Sequence, residues 1–334
     1  NVAQYALWRP LSDPNFPWLG ILIASPIVGI WYWCTDQYIV QRTLAAKNLK
    51  AARRGALWGA FLKIWPVLIF LIPGLIGAAL NDKGLLNIST NTDGSLIGDH
   101  VFPSMVATLL PEGLRGLVVA GILAALMSSL SSLFNSTATL FTFDVYKKLR
   151  PMVTDAKLIV IGRIATLVIV ILGLLWIPIM PMISKGGLYQ YLQSVQSYLA
   201  PPITAVFLLG LFNNRINNQG ATWGLSIGFI LGMLKLVIQA FFGAEKISNP
   251  TILSMIGDFN FLYFSGALFL ISVVIIILVS YKTSPPDQQK IHGLTFSTID
   301  HEVIRSSWNT KDVVATIIIL GLVATLYIYF SFWI

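Results

Sequence analysis

The chain has 334 residues, of which 56% are hydrophobic and only 11% charged, with a mean hydropathy of +0.76. Soluble domains carry about 25% charged residues, so so polar-poor a chain cannot cover itself with water-facing surface; a soluble fold, a disordered chain and a collagen-like repeat are excluded, and an integral membrane protein remains. The net charge of +8 would point to nucleic acid in a soluble protein, but here the cations sit in short loops between apolar runs, which assigns them to membrane orientation and leaves no case for nucleic acid.

Eight apolar runs are long enough to cross a bilayer, at about 20 residues each: 18–40, 55–80, 113–143, 158–181, 187–212, 219–242, 261–281 and 312–334. Backbone groups in lipid must bond within their own segment, so continuous runs of this kind are helices, not the alternating strands of a barrel. The expected fold class is an all-α integral membrane protein. The chain starts at Asn1 with no signal peptide ahead of the first run, and is expected to be a fragment whose N-terminal part is missing.

The first run carries an aromatic cluster, Trp31-Tyr32-Trp33-Cys34-Thr35-Asp36-Gln37. It begins thirteen residues into the run, deeper than an interfacial belt requires. Sugars present C–H faces that stack on aromatic rings, so the cluster reads either as a site for a sugar or other small solute, or as bulky packing. Pro26 and Gly29 are expected to break the helix just above it, as in the broken helices of transporter sites. In the second run Lys63 lies nine residues past Arg54, about 13 Å along a helix and near the bilayer midplane. A lysine there either snorkels to the surface or faces a hydrated cavity where it bonds a solute or a carboxylate. The polar loop 81–112 follows, with a short surface helix expected over about His100 to Leu110.

The third run places Ser128, Ser131, Ser132 and Asn135 on one helix face by their i, i+3, i+4, i+7 spacing. Small polar residues in this pattern serve helix packing or make a neutral oxygen-rich site for a weakly held monovalent cation. In the fifth run Tyr189 and Gln193 share a face, and Pro201-Pro202 marks either a hinge or a static kink. Lys235, in the sixth run, has nothing polar near it in sequence and is expected to snorkel to the surface. The loop 282–311, with Pro285-Pro286, reads as a flexible linker. His100, His292 and His301 lack metal-ligand spacing, and no P-loop, nucleophile elbow or zinc motif occurs, so an enzyme is not expected.

Orientation follows from the loop cations. One side holds Arg42, Lys47, Lys50, Arg53, Arg54, Lys147, Lys148, Arg150, Lys157, Arg163, Arg215, Lys282, Lys290, Arg305 and Lys311, and the other only Arg9, Lys83, Arg115, Lys185 and Lys246. The richer side is cytoplasmic, so the first helix enters from outside.

Several stretches carry a family resemblance: Trp31-Tyr-Trp-Cys-Thr-Asp-Gln-Tyr-Ile-Val-Gln-Arg42; Met127-Ser-Ser-Leu-Ser-Ser-Leu-Phe-Asn-Ser-Thr-Ala-Thr-Leu-Phe-Thr142; Tyr191-Leu-Gln-Ser194 with Ser197-Tyr-Leu-Ala-Pro-Pro202; and Gly210-Leu-Phe-Asn-Asn-Arg215 with Gly220-Ala221. Over nearly the whole chain the sequence resembles the sodium/glucose cotransporter branch of the solute:sodium symporter family. The resemblance implies a LeuT-type fold of two inverted five-helix repeats, with 18–212 as the second repeat and 213–334 as additional C-terminal helices. It implies that Tyr32 is the inner-gate aromatic beneath the sugar with Trp33 beside it, that Lys63 and Gln193 bond the sugar, that Tyr189 is an outer-gate aromatic, and that Ala125, Ser128 and Ser129 belong to a sodium site. Gly29 departs from the pattern, because relatives place there a side chain able to hydrogen-bond sugar. The function expected is sodium-coupled sugar symport across the cell membrane by alternating access, with sodium as coupling ion and a sugar and the lipid bilayer as partners. The rivals are a symporter for inositol or an anion, a sugar sensor, and the membrane part of a fused signalling protein.

Overall fold

The computed structural model describes residues 8–90, 96–180, 187–242 and 251–331. Lys185 and Lys246, two of the outer-side cations, lie outside the described residues, as do the last residues of the expected runs 158–181 and 312–334. Among the described residues eight helices are long and apolar enough to span a bilayer: Trp18–Thr35, Leu49–Asp82, Glu112–Leu149, Asp155–Trp176, Leu188–Phe212, Asn218–Phe242, Phe261–Lys282 and Thr310–Ser331. They are called spans one to eight below. Apart from one isolated bridge between Thr90 and Leu96, the described residues form no β-structure. The protein is an all-α, multi-pass membrane protein.

The chain divides into two compact units, one running to Phe61 and resuming at Tyr189, the other covering Leu62–Leu188. The core of the first unit lies among spans one, five, six and seven. Burial is heaviest there: 39% of the apolar stretch of span five and 33% of that of span seven are buried, against none in spans two, three and eight. A stripe of glycines four residues apart, Gly220, Gly224, Gly228 and Gly232, lets span six lie directly on its neighbours. A side chain on Gly224 would meet Ile276 of span seven, and one on Gly228 would meet Pro202 of span five. Lipid gives helices no hydrophobic reason to associate, so this close backbone approach is what holds them. Span one joins the same core through Gly20, packed on Leu262, and through Ile23, packed on Gly266.

In the second unit spans three and four pack together. The loop helix runs Gly98–Leu109 and rests on Gly77 of span two, where an added Cβ would stand 2.8 Å from the Met105 sulfur. Span two stops at Gly84, whose φ of 68° only glycine adopts freely, and the Leu85 N–H closes back on the Leu80 carbonyl.

The segment 282–311 is not the loose linker its prolines and polarity suggest. It folds back on the end of span five: Phe296 N–H bonds the Leu211 carbonyl at 2.9 Å, and Asn214 bonds the Ser297 hydroxyl at 2.7 Å. Arg215 Nη2 donates to the Thr283 carbonyl at 2.8 Å. Within it Thr295, Ser297 and Thr298 bond one another, and Asn217 donates to the Thr283 hydroxyl and the Ser284 carbonyl.

Candidate functional site

Span one is broken at its aromatic cluster, not above it. The helix Trp18–Ile30 passes unbroken through Pro26 and Gly29, because a proline deletes one ladder bond and the next turns resume. Trp31 N–H already bonds the Ile27 and Val28 carbonyls. The ladder then widens into a π-turn over Trp31–Thr35, where Asp36 N–H reaches the Trp31 carbonyl at 3.1 Å. Thr35 Oγ1 donates to the same carbonyl at 2.7 Å. Asp36 is extended, and its carboxylate caps the following helix, Gln37–Leu44, by accepting Tyr38 N–H at 3.1 Å. Above the turn, the buried Thr204 hydroxyl of span five donates to the Ile27 carbonyl at 2.8 Å. Single-turn π segments of this type recur at functional sites.

The π-turn sets the three rings at successive angles. Tyr32 meets Trp33 edge to face with centroids 5.3 Å apart and lies 6.2 Å from Trp31. Trp33 is 47% exposed.

On span five, Gln193 Nε2 donates to Tyr189 Oη at 3.0 Å, as their shared face anticipates. Tyr189 lies 6.4 Å from Phe16, which stands edge-on to Phe261. Phe16 is held by Asp13, whose carboxylate accepts the Asn15 and Phe16 N–H groups at 2.9 and 2.7 Å and pairs with Arg9 at 3.4 Å. Burial works to raise the Asp13 pKa, but these two backbone bonds and Arg9 together hold it below the ordinary value. Pro201 and Pro202 lie fully buried within one continuous helix, Leu188–Phe212.

Tyr32, Trp33, Tyr189 and Gln193 belong to the first unit; Lys63, Ala125, Ser128 and Ser129 belong to the second. Lys63 is exposed on the long helix Leu49–Asp82. Ala125, Ser128 and Ser129 are exposed on span three. Below them the hydroxyls turn back on their own helix: Ser132 donates to the Ser128 carbonyl at 3.1 Å, Thr137 to Leu133 at 2.9 Å and Thr139 to Asn135 at 2.7 Å. Such back-bonding loosens a helix, and span three passes into a second π-turn at Phe141–Tyr146. Asn135, Thr139 and Thr142 of span three and Asp155 and Arg163 of span four join Phe143, Leu158 and Ile159 around a mainly apolar pocket of about 440 Å³.

Lys235 overturns the expectation of a snorkelling side chain. It is 2% exposed, and its ammonium donates to the Ile256 and Gly257 carbonyls at 2.7 Å each. These carbonyls close the short helix Ile252–Asp258, and the ammonium also faces the Tyr198 and Phe264 rings at 5.7 and 5.9 Å. Helix-end carbonyls and ring faces replace water for a buried cation. No local signal in span six announces this, because every partner lies elsewhere in the chain. The glycine stripe of span six, which the sequence reading did not single out, does carry a local signal in its spacing of four.

The profile of the "Sodium:solute symporter family" matches residues 6–228. The chain belongs to the sodium:solute symporter family. Among curated relatives, "Sodium/glucose cotransporter 4" of Mus musculus is 40% identical over 301 residues, covering 86% of this chain and 44% of the relative. "Sodium/myo-inositol cotransporter 2" of Homo sapiens is 38% identical over 310 residues, covering 90% and 46%. "Sodium/glucose cotransporter 1" of Ovis aries is 36% identical over 316 residues, covering 92% and 48%. The chain thus spans about half the length of the curated relatives it matches. These relatives are cotransporters, not enzymes.

Proposed function

We propose that the protein carrying this chain is a sodium-coupled symporter for a polyhydroxylated ring solute, working by alternating access in the bounding membrane of the cell. The observation that carries the reading is the broken first span, where a π-turn presents Tyr32 and Trp33 beside backbone that has left the helical ladder. A ring solute offers an apolar face for the Tyr32 ring and a rim of hydroxyls for polar partners. Gln193 supplies both donors and an acceptor to adjacent hydroxyls, and Lys63 supplies donors only. Tyr189, bonded to Gln193, closes over the solute from outside. Ala125 through its carbonyl, and Ser128 and Ser129 through their hydroxyls, hold a sodium ion. Oxygen ligands without a carboxylate bind such an ion weakly enough to release it each cycle. Sodium entering down its gradient favours the outward-open state, and the solute then binds and the helices rock. Within this reading, 18–212 is the second of two inverted repeats of a LeuT-type fold, and 213–334 adds further helices.

A second reading, an inositol as the solute, is supported by the bare glycine at position 29, and a myo-inositol cotransporter at 38% identity stands beside the glucose cotransporters at 36% and 40%. Uptake of labelled hexoses and myo-inositol into proteoliposomes by the full-length protein, with and without a sodium gradient, decides between them. Accumulation of one of them only under the gradient supports the reading; equal accumulation without sodium, or none of either, overturns it.

A further inference from the structure

Between the cytoplasmic part of span two and the start of span eight lies a groove of about 240 Å³. Its walls are apolar, with Leu57, Trp58 and Phe61 on one side and Ile318 and Ile319 on the other. Its mouth is charged. Arg54 Nε donates to Asp312 Oδ1 at 3.1 Å, and the Arg54 side chain is half exposed. The Asp312 side chain is 4% exposed and lines the groove, yet its second oxygen, Oδ2, is buried without a hydrogen-bond partner. Arg53, the residue before Arg54, lies over the Trp308 ring at 4.2 Å. The mouth therefore holds two groups of opposite charge: a carboxylate oxygen that lacks a donor and, bonded to the other oxygen, a half-exposed guanidinium open to an anionic acceptor. Buried polar groups left in that condition cost stability.

We propose that this groove is a binding site for phosphatidylethanolamine from the cytoplasmic leaflet. One acyl chain lies along Trp58, Phe61 and Ile318. The phosphate accepts from Arg54, and the primary ammonium donates to Asp312 Oδ2. An acidic lipid meets the arginines but repels Asp312. Phosphatidylcholine supplies the phosphate but has no N–H to give. A net-neutral headgroup with both a phosphate and a cationic N–H donor answers the guanidinium and the carboxylate together. The cations of the first turns of the two helices, Arg53 and Arg54 in span two and Lys311 in span eight, place the groove on the cytoplasmic side by the distribution of cations.

The test is native mass spectrometry of the full-length protein titrated with matched-chain phosphatidylethanolamine, its N-methyl and N,N-dimethyl derivatives, phosphatidylcholine and phosphatidylglycerol. Retention is expected to survive the first two methylations, which keep an N–H, and to fall about tenfold at phosphatidylcholine, the worth of one charge-assisted bond. Asp312→Asn is expected to remove the preference while leaving phosphatidylcholine retention unchanged. Brominated-chain phosphatidylethanolamine in nanodiscs is expected to quench a fluorescence component that Trp58→Phe deletes. Equal retention across the series, a preference for phosphatidylglycerol, or a groove closed to brominated lipid by the rest of the protein or by a co-purifying helix overturns the proposal. The methylation series needs no variant, so a misfolded Asp312→Asn does not protect the idea.

Discussion

Gln193→Ala removes an amide that sits one helical turn from Tyr189 and already donates one N–H to its hydroxyl at 3.0 Å. The amide keeps its second N–H and its carbonyl for a solute. Without them a solute hydroxyl is left unpaired in a largely dry site, at about 1–3 kcal/mol, which is roughly 5- to 150-fold in affinity. Tyr189→Phe keeps the ring but takes away the acceptor that orients Gln193. Losing that single bond costs about 0.5–1.5 kcal/mol, or about 2- to 12-fold. Because Tyr189 acts partly through Gln193, the double variant is expected to be no worse than Gln193→Ala with Tyr189→Phe contributing little more, a coupling of about 1 kcal/mol. Equilibrium binding of labelled solute to the full-length protein at saturating sodium measures all three, and sodium binding without solute is expected to stay near that of the unaltered protein. Normal solute binding by Gln193→Ala refutes the assignment, and effects that simply multiply refute the coupling through Tyr189.

Ser129→Ala removes a hydroxyl and leaves the helix intact; the sodium concentration for half-maximal uptake is expected to rise severalfold, and an unchanged value removes Ser129 from the sodium site. Lys235→Met keeps the length of the side chain but strands two carbonyls that now receive 2.7 Å bonds. Offset by relief of a buried charge, the net loss is about 2 kcal/mol, read as a lower melting temperature in detergent; unaltered melting, or ready labelling of Lys235 by an impermeant amine reagent, contradicts its buried role. In Gly228→Leu the new Cβ stands 2.7 Å from Pro202 Cβ and 2.9 Å from Ser272 Oγ. Overpacking of at least about 1–3 kcal/mol is expected to cut the yield of folded protein sharply, while Gly321→Leu, with open space around it, is expected to be tolerated.

The spans and the surface helix could be read from the sequence because hydropathy is a local property. Each expected run reappears within a few residues; span two begins earlier, at Leu49, because the basic stretch ahead of its apolar run is helical as well. The shared face of Tyr189 and Gln193 was equally legible, since helical spacing fixes it. What escaped the sequence depends on partners far along the chain. Lys235 is satisfied by carbonyls some twenty residues later, and Asp312 meets Arg54 across 258 positions. The break in span one was expected from Pro26 and Gly29, yet it falls at Trp31–Thr35, where no proline or glycine marks it. There the Thr35 hydroxyl and the Asp36 cap hold the widened turn, and Thr204 from another helix bonds the turn above. The 282–311 segment misled for a similar reason, since it finds partners at the end of span five, Leu211, and just beyond it, Asn214, that composition does not reveal.

The central claim joins sodium coupling to a ring solute held at the break in span one, and one recording tests both. The full-length protein is expressed in oocytes under voltage clamp, and the inward current evoked by the solute that drives uptake is measured in sodium and then in choline. The account predicts a solute-evoked current in sodium that vanishes in choline, is largely kept in Tyr32→Phe, and is lost in Tyr32→Ala, because the ring face carries the contact and the hydroxyl is secondary. A current that persists in choline, or one that Tyr32→Ala leaves unchanged while the protein reaches the surface normally, contradicts it.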